Sequence, residues 1–184
     1  RASMVSREDA TTLVPCTERS ASRSGKQPVN HPLCDKLQYV AGDFASWGGE
    51  VTSGFAKAPR KPHEDYLASL TAWAESEFGH PKVHAILTYI KKGTVVADLV
   101  SAGILPVADG QLLKKWAGVR ADRPAIFGVL TNDQTPDDAF VRWRIEDGET
   151  LASGTWEDTS LIESWDAYYR RQRSSNGTCM VTGE

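Results

Sequence analysis

Apolar positions fall into three regimes along this chain. Between residues 63 and 90 they recur at helical spacing, over 140–145 they alternate, and before residue 63 they are scattered among Gly, Pro and Ser. Tyr66, Leu67, Leu70, Trp73, Ala74 and Phe78 form one helical stripe, with Glu64, Asp65, Glu75 and Glu77 mostly opposite. Acidic residues at its start suit the helix dipole, and Gly79 is a natural stop. Pro81 opens a second helix through Val83, Ile86, Leu87 and Ile90, closed by Lys91, Lys92 and Gly93. Residues 95–101 and 111–117 read as further short helices.

The apolar run 125–130 reads as a buried strand. After a polar turn, residues 140–145 place Val141, Trp143 and Ile145 on one face and Phe140, Arg142 and Arg144 on the other. The two strands are predicted to pair antiparallel. Helix returns over 159–173, with Leu161, Ile162, Trp165, Tyr168 and Tyr169 on its apolar side and Arg170, Arg171 and Arg173 near its end. Upstream, β-branched residues predict a short strand over 10–15, ended by Pro15. A polar loop occupies 18–32, anchored by Leu33, Leu37, Tyr39 and Val40, with Asp35 capping a short helix. Residues 42–62 form a second irregular region. The expected class is α+β. A loop-rich basic segment with short strands (1–62) precedes a helical cluster with a β-hairpin and a C-terminal helix (63–184), read as one domain truncated at both ends.

The net charge of -3 does not advertise a polyanion binder, but its distribution is uneven. Residues 1–63 carry nine Lys and Arg against six Asp and Glu; residues 64–184 carry twelve against eighteen. A basic half beside an acidic half can face a polyanion on one side only. Cys16, Cys34 and Cys179 are far apart and odd in number, which points to a reducing, cytoplasmic setting rather than a disulfide framework. No apolar run approaches the length of a membrane span.

Candidate chemistry concentrates in two basic stretches. The loop carrying Arg19, Arg23, Lys26, Gln27 and Asn30, with Lys36 just beyond, combines phosphate-neutralising cations with amides able to meet adenine edges. Gly25 and the serines allow close approach of backbone N–H groups. Lys57, Arg60 and Lys61, broken by Pro59 and Pro62, form a second basic turn. Other patterns fare worse. His80 and His84 have the spacing of two ligands on one helical face, but Pro81 places His80 before the helix, so both are read as structural. Cys34 with nearby His31 is the one arrangement resembling a thiol nucleophile and base. Asp137-Asp138 and Glu157-Asp158 read as solvated or capping carboxylates. No phosphate-loop, dinucleotide, kinase or hydrolase pattern occurs, so no enzyme, metal or cofactor is expected.

Three segments carry a family resemblance. They are Arg23-Ser24-Gly25 leading to Leu33-Cys34-Asp35-Lys36 and Tyr39-Val40; Ile126-Phe127-Gly128-Val129 followed by Val141-Arg142-Trp143; and Cys179-Met180-Val181-Thr182-Gly183-Glu184. In this order they resemble the N-terminal portion of the large subunit of the type I-C (Dvulg subtype) CRISPR surveillance complex, Cascade. The resemblance implies a non-catalytic subunit that recognises the protospacer-adjacent motif in duplex DNA and supports pairing with CRISPR RNA. The implied partners include other Cascade subunits, among them the one holding the guide 5′ end, and a recruited helicase–nuclease. The implied nucleic-acid contacts fall on the two basic stretches. The alternative is a docking module without direct DNA reading, using Trp73, Trp143, Trp156 and Trp165 as surface.

Overall fold

The computed structural model describes residues 1–5, 12–131, 134–146 and 153–176. Its centre is α3 (Lys61–Ala74), which packs on α4 (Pro81–Ile90) and on the short α2 (Leu37–Val40). Tyr66, Leu70 and Trp73, at i, i+4 and i+7, turn one side of α3 wholly inward. Pro62 sits in its first turn, where a missing N–H costs nothing, and Lys61 reaches Asp65 across one turn at 2.8 Å. His80 is the N-cap of α4: its ring accepts from the Lys82 N–H at 3.2 Å. Val83, Ile86, Leu87 and Ile90 are buried, and Gly93 adopts a positive φ of 64° just beyond the end. Helix α5 (Val95–Ser101) follows as expected, its first turn bonded to the Asp43 carboxylate through the Val96 and Ala97 N–H groups.

The short strands differ from expectation. Strand β1 (Asp35–Lys36) pairs antiparallel with β4 (Phe140–Val141), joining the N-terminal segment to residues 140–145. The segment 125–130 is not that partner. It forms a helical turn, α6 (Ile126–Val129), entered from Pro124, with the Arg123 guanidinium on the Phe127 carbonyl. A short buried apolar run has no period to separate strand from helix, and the strand that pairs with β4 is β1 instead. Nor is 111–117 a helix. Strands β2 (Val107–Ala108) and β3 (Gln111–Leu112) form a hairpin around Asp109-Gly110, at φ 51° and 76°. Positive φ at both central residues defines the turn that matches strand twist, and Asp-Gly is its favoured pair. The alternation over 140–145 holds in part: Val141, Trp143 and Ile145 are partly buried and Phe140 and Arg144 exposed, but Arg142, expected on the outer face, is partly buried too.

Near the N-terminus, residues 12–17 have no regular structure, and the rest of the expected strand at 10–15 lies outside the described residues. The loop 18–32 contains one helical turn, α1 (Glu18–Ala21), closed by a reciprocal capping box between Thr17 and Ser20. Asp35 caps no helix. The region 42–62 is irregular, with two 3-10 turns at Phe44–Trp47 and Ser53–Phe55.

The long helix α7 (Thr159–Asn176) closes the core with Leu161 and Trp165, whose ring meets Trp73 edge-on at 5.0 Å. A buried ion pair fixes its start. Lys82 lies on the apolar side of α4 and reaches Asp158 at 2.6 Å, with the two side chains only 3% and 9% exposed. Asp158 also accepts from Ser160 Oγ and the Leu161 N–H, so it caps α7. Burial pushes the Asp158 carboxyl up, but these bonds and Lys82 outweigh it and bring it down to about 2. One continuous cluster of buried residues runs from Leu33 to Trp165 and draws on both sides of residue 63. The fold is mixed α+β with loop-rich connections.

Candidate nucleic-acid interface

The loop between α1 and β1 is tied down at four points. The Arg23 guanidinium bonds the Asp35 carboxylate at 2.8 Å and lies 5.4 Å over the Tyr39 ring. Gln27 Nε2 donates to the Gly54 carbonyl at 2.6 Å. The Pro28 carbonyl accepts the Tyr39 hydroxyl at 2.8 Å. Asn30 Nδ2 donates to Ser69 Oγ at 2.9 Å and to the His31 carbonyl at 3.0 Å.

Asp35 organises this arrangement. Its side chain is 0% exposed and accepts from Arg23, from the His31 N–H at 2.7 Å and from its neighbour Lys36 N–H at 2.7 Å. Burial pushes its carboxyl above the usual range, and Arg23 with the two N–H groups pulls in the opposite direction. Glycine is required at position 54, where a Cβ would collide with the Lys26 carbonyl. That contact lays the 23–30 loop against the segment leading to Lys57, so the two basic stretches of the sequence meet at Lys26 and Gly54. Segment 52–54 is held in turn by Gln38, which donates to Thr52 Oγ1 at 3.0 Å and accepts from the Thr52 N–H at 2.8 Å.

The predicted contact residues therefore separate by circumstance. Arg23 and Asn30 are largely withdrawn from solvent and hold the loop in place. Gln27 is exposed, but its amide is engaged. Lys36 pairs with Asp138 at 2.7 Å, and Lys61 with Asp65. Arg19, Lys26, Lys57 and Arg60 are exposed and make no ion pair among the described residues. Sequence reasoning did not single out Asp35 as an anchor or Gly54 as a close-approach glycine. An acid twelve residues from an arginine carries no periodic signal; only the fold joins them.

The other candidates take different places. Cys34 is buried, its thiol 4.0 Å from Thr155 Oγ1, and burial pushes it up to about 11. An activated nucleophile needs the opposite shift. Burial, with Arg23 nearby, brings His31 down to about 4, and its Nδ1 meets Ser20 Oγ at 3.1 Å. Trp73 and Trp165 are core, and Trp143 donates inward to the Leu33 carbonyl at 2.8 Å. His80 caps α4, and His84 is exposed on the same helix. Cys179 and the rest of the 179–184 segment lie outside the described residues. Among the described residues no three His, Cys, Asp or Glu side chains converge to hold a metal, and no helix is long and apolar enough to cross a membrane.

A family described as CRISPR-associated protein (Cas_Csd1) matches residues 2–184. The chain belongs to this CRISPR-associated family. The match runs through both basic stretches, the β1–β4 pair and α7. No curated protein and no solved structure matches the chain. For a Cas_Csd1 protein, association with other components of a CRISPR complex follows from the family.

Proposed function

We propose that this chain is part of the large subunit of a type I-C Cascade complex and that its basic face engages duplex DNA at the protospacer-adjacent motif. One observation carries the reading. The loop is ordered by internal ties, yet Arg19, Lys26, Lys57 and Arg60 remain exposed and without an ion pair among the described residues, Lys26 lying against the segment that leads to Lys57. Phosphate contacts set register on a duplex, and cations already held on an ordered loop make those contacts with little further ordering. Target reading is then delegated to the CRISPR RNA, and the protein needs only a few contacts at the motif. In this role the chain is a non-catalytic, cytoplasmic component. It works beside the subunit that holds the guide 5′ end and a recruited helicase–nuclease.

The test is duplex binding by the reconstituted complex, with and without candidate motifs. Wild type is compared with a Lys26→Ala, Lys57→Ala, Arg60→Ala triple variant over a salt series. Taking away three phosphate-neutralising cations should flatten the salt dependence by about 0.9 in log–log slope for each. Motif-dependent binding should weaken while assembly persists. Unchanged affinity and slope in an assembled complex would make this face a scaffold instead.

A further inference from the structure

A second cationic feature lies in the acidic half of the chain, away from the basic loop in sequence. Residues 142 and 144 share one face of an extended segment, opposite the inward-turned Trp143. That segment runs alongside 153–155. Arg144 bridges Gly154, the Ile145 N–H meets the Ser153 carbonyl at 2.8 Å, and the Thr155 N–H meets the Trp143 carbonyl at 3.1 Å. The ladder brings Trp156 beneath both arginines. The Arg142 guanidinium lies 3.9 Å from the indole centroid and that of Arg144 5.5 Å.

Two like charges on one indole need an explanation. Neither guanidinium makes an ion pair or donates a hydrogen bond among the described residues, and Arg142 Nε is buried with no acceptor among them. The adjacent Glu157 carboxylate forms an ion pair with neither: its Oε1 accepts from the Trp156 Nε1–H at 3.1 Å. Arginine elsewhere in the chain is used differently. Arg23 is matched to Asp35 and Arg173 to Glu18. Here the indole attracts the cations by its π face and orients them, and neither has a carboxylate in ion-pair reach among the described residues.

We infer that Arg142, Arg144 and Trp156 form a second nucleic-acid contact, in which the two guanidinium groups take a phosphodiester and the half-buried indole borders the adjoining base. A guanidinium offers paired N–H donors that fit two phosphate oxygens, and stacking holds those donors in place before the ligand arrives. The inference leans on the proposed function only for the choice of nucleic acid over a smaller phosphate. The site itself uses none of the residues of the basic loop.

The test uses the full chain with labelled single-stranded DNA, RNA and duplex DNA of equal length, comparing wild type, Arg144→Gln and Arg144→Lys. Arg144 is exposed, so both variants should melt with the wild type. Loss of one phosphate contact should make Arg144→Gln less salt-sensitive. For duplex DNA, the wild type should lose about 3.5-fold more affinity than this variant over a fourfold rise in salt. Arg144→Lys should restore the slope. The strand type with the largest difference identifies the source of the phosphate. An unchanged slope and affinity for all three strands overturns the inference, as does equal competition by polyglutamate at matched charge. The two readings can fail separately. Motif-dependent binding with a silent Arg144→Gln removes only this site. An Arg144-dependent slope without motif dependence leaves this site and removes the motif reading.

Discussion

Replacing Asp35 by Asn changes one atom of a fully buried side chain on which three donors converge. The amide keeps one acceptor oxygen and turns an N–H₂ group toward the rest. At least one of the His31 and Lys36 N–H groups, or the Arg23 guanidinium, then loses its partner. Removing one side of a buried ion pair costs about 3–5 kcal/mol. Arg23 is 19% exposed, and this residual hydration places the expected cost near the lower end, about 3 kcal/mol. Arg23→Met is a different perturbation, because the carboxyl it abandons can take up a proton. Burial already pushes Asp35 above its usual range, and loss of the guanidinium pushes it further. A carboxyl raised in the folded state binds more protons there than in the unfolded chain. Stability is then greatest below the unfolded value near 3.8 and falls as pH rises toward the folded one. Arg23→Met should therefore cost little near pH 4 and progressively more toward pH 7. Asp35→Asn removes that titration. Urea unfolding followed by tryptophan fluorescence at several pH values measures both. The reasoning is refuted if Asp35→Asn costs no more than an ordinary surface change, roughly 0.5 kcal/mol, or if the cost of Arg23→Met does not grow with pH.

Lys82→Ala should cost about 3–5 kcal/mol in urea unfolding by stranding Asp158, while Lys82→Met with Asp158→Asn should recover much of that loss. Native-state alkylation followed by mass spectrometry should label the exposed Cys16 readily and Cys34 only on unfolding; rapid labelling of Cys34 would contradict its burial. His31, brought down to about 4 in the fold, binds fewer protons there than when unfolded, so it removes stability as pH falls from 6.5 toward 4. His31→Gln should lessen the drop in urea midpoint between pH 7 and pH 5. Gly54→Ala should drive the Lys26 carbonyl off its seat and open the loop, seen as faster tryptic cleavage after Lys26.

The elements legible in the sequence are those with a long period. Helices α3, α4 and α7 each place several large residues on one side, and the structure buries Tyr66, Leu70, Trp73, Ile86 and Trp165 accordingly. Elements of two to four residues are set by tertiary partners instead. Ile126–Val129 forms a helical turn, and Asp35–Lys36 is a strand only because Phe140–Val141 lies beside it. The hairpin at 107–112 did carry a local signal in Asp109-Gly110, which the apolar Leu112 and Leu113 masked as helix. Lys82 was invisible for another reason. A lysine on an apolar helix face reads as an exception until its partner, 76 positions on, is placed beside it.

The same distinction governs the candidate site. Composition ranks every Lys and Arg in a basic stretch equally, whereas the fold pairs some of them with carboxylates and leaves others with none among the described residues. Arg23 and Lys36 belong to the first group, and Arg19, Lys26, Lys57 and Arg60 to the second. By that criterion Arg142 and Arg144 also count, although the half of the chain they occupy is net acidic. A phosphate is drawn to local unmatched charge within about a Debye length, roughly 8–10 Å at moderate salt, and the formal charge of a whole segment matters less. A chain with a net charge of -3 can therefore present two separate cationic contacts to one polyanion. Removing matched cations should change stability, and removing unmatched ones should change salt-dependent binding.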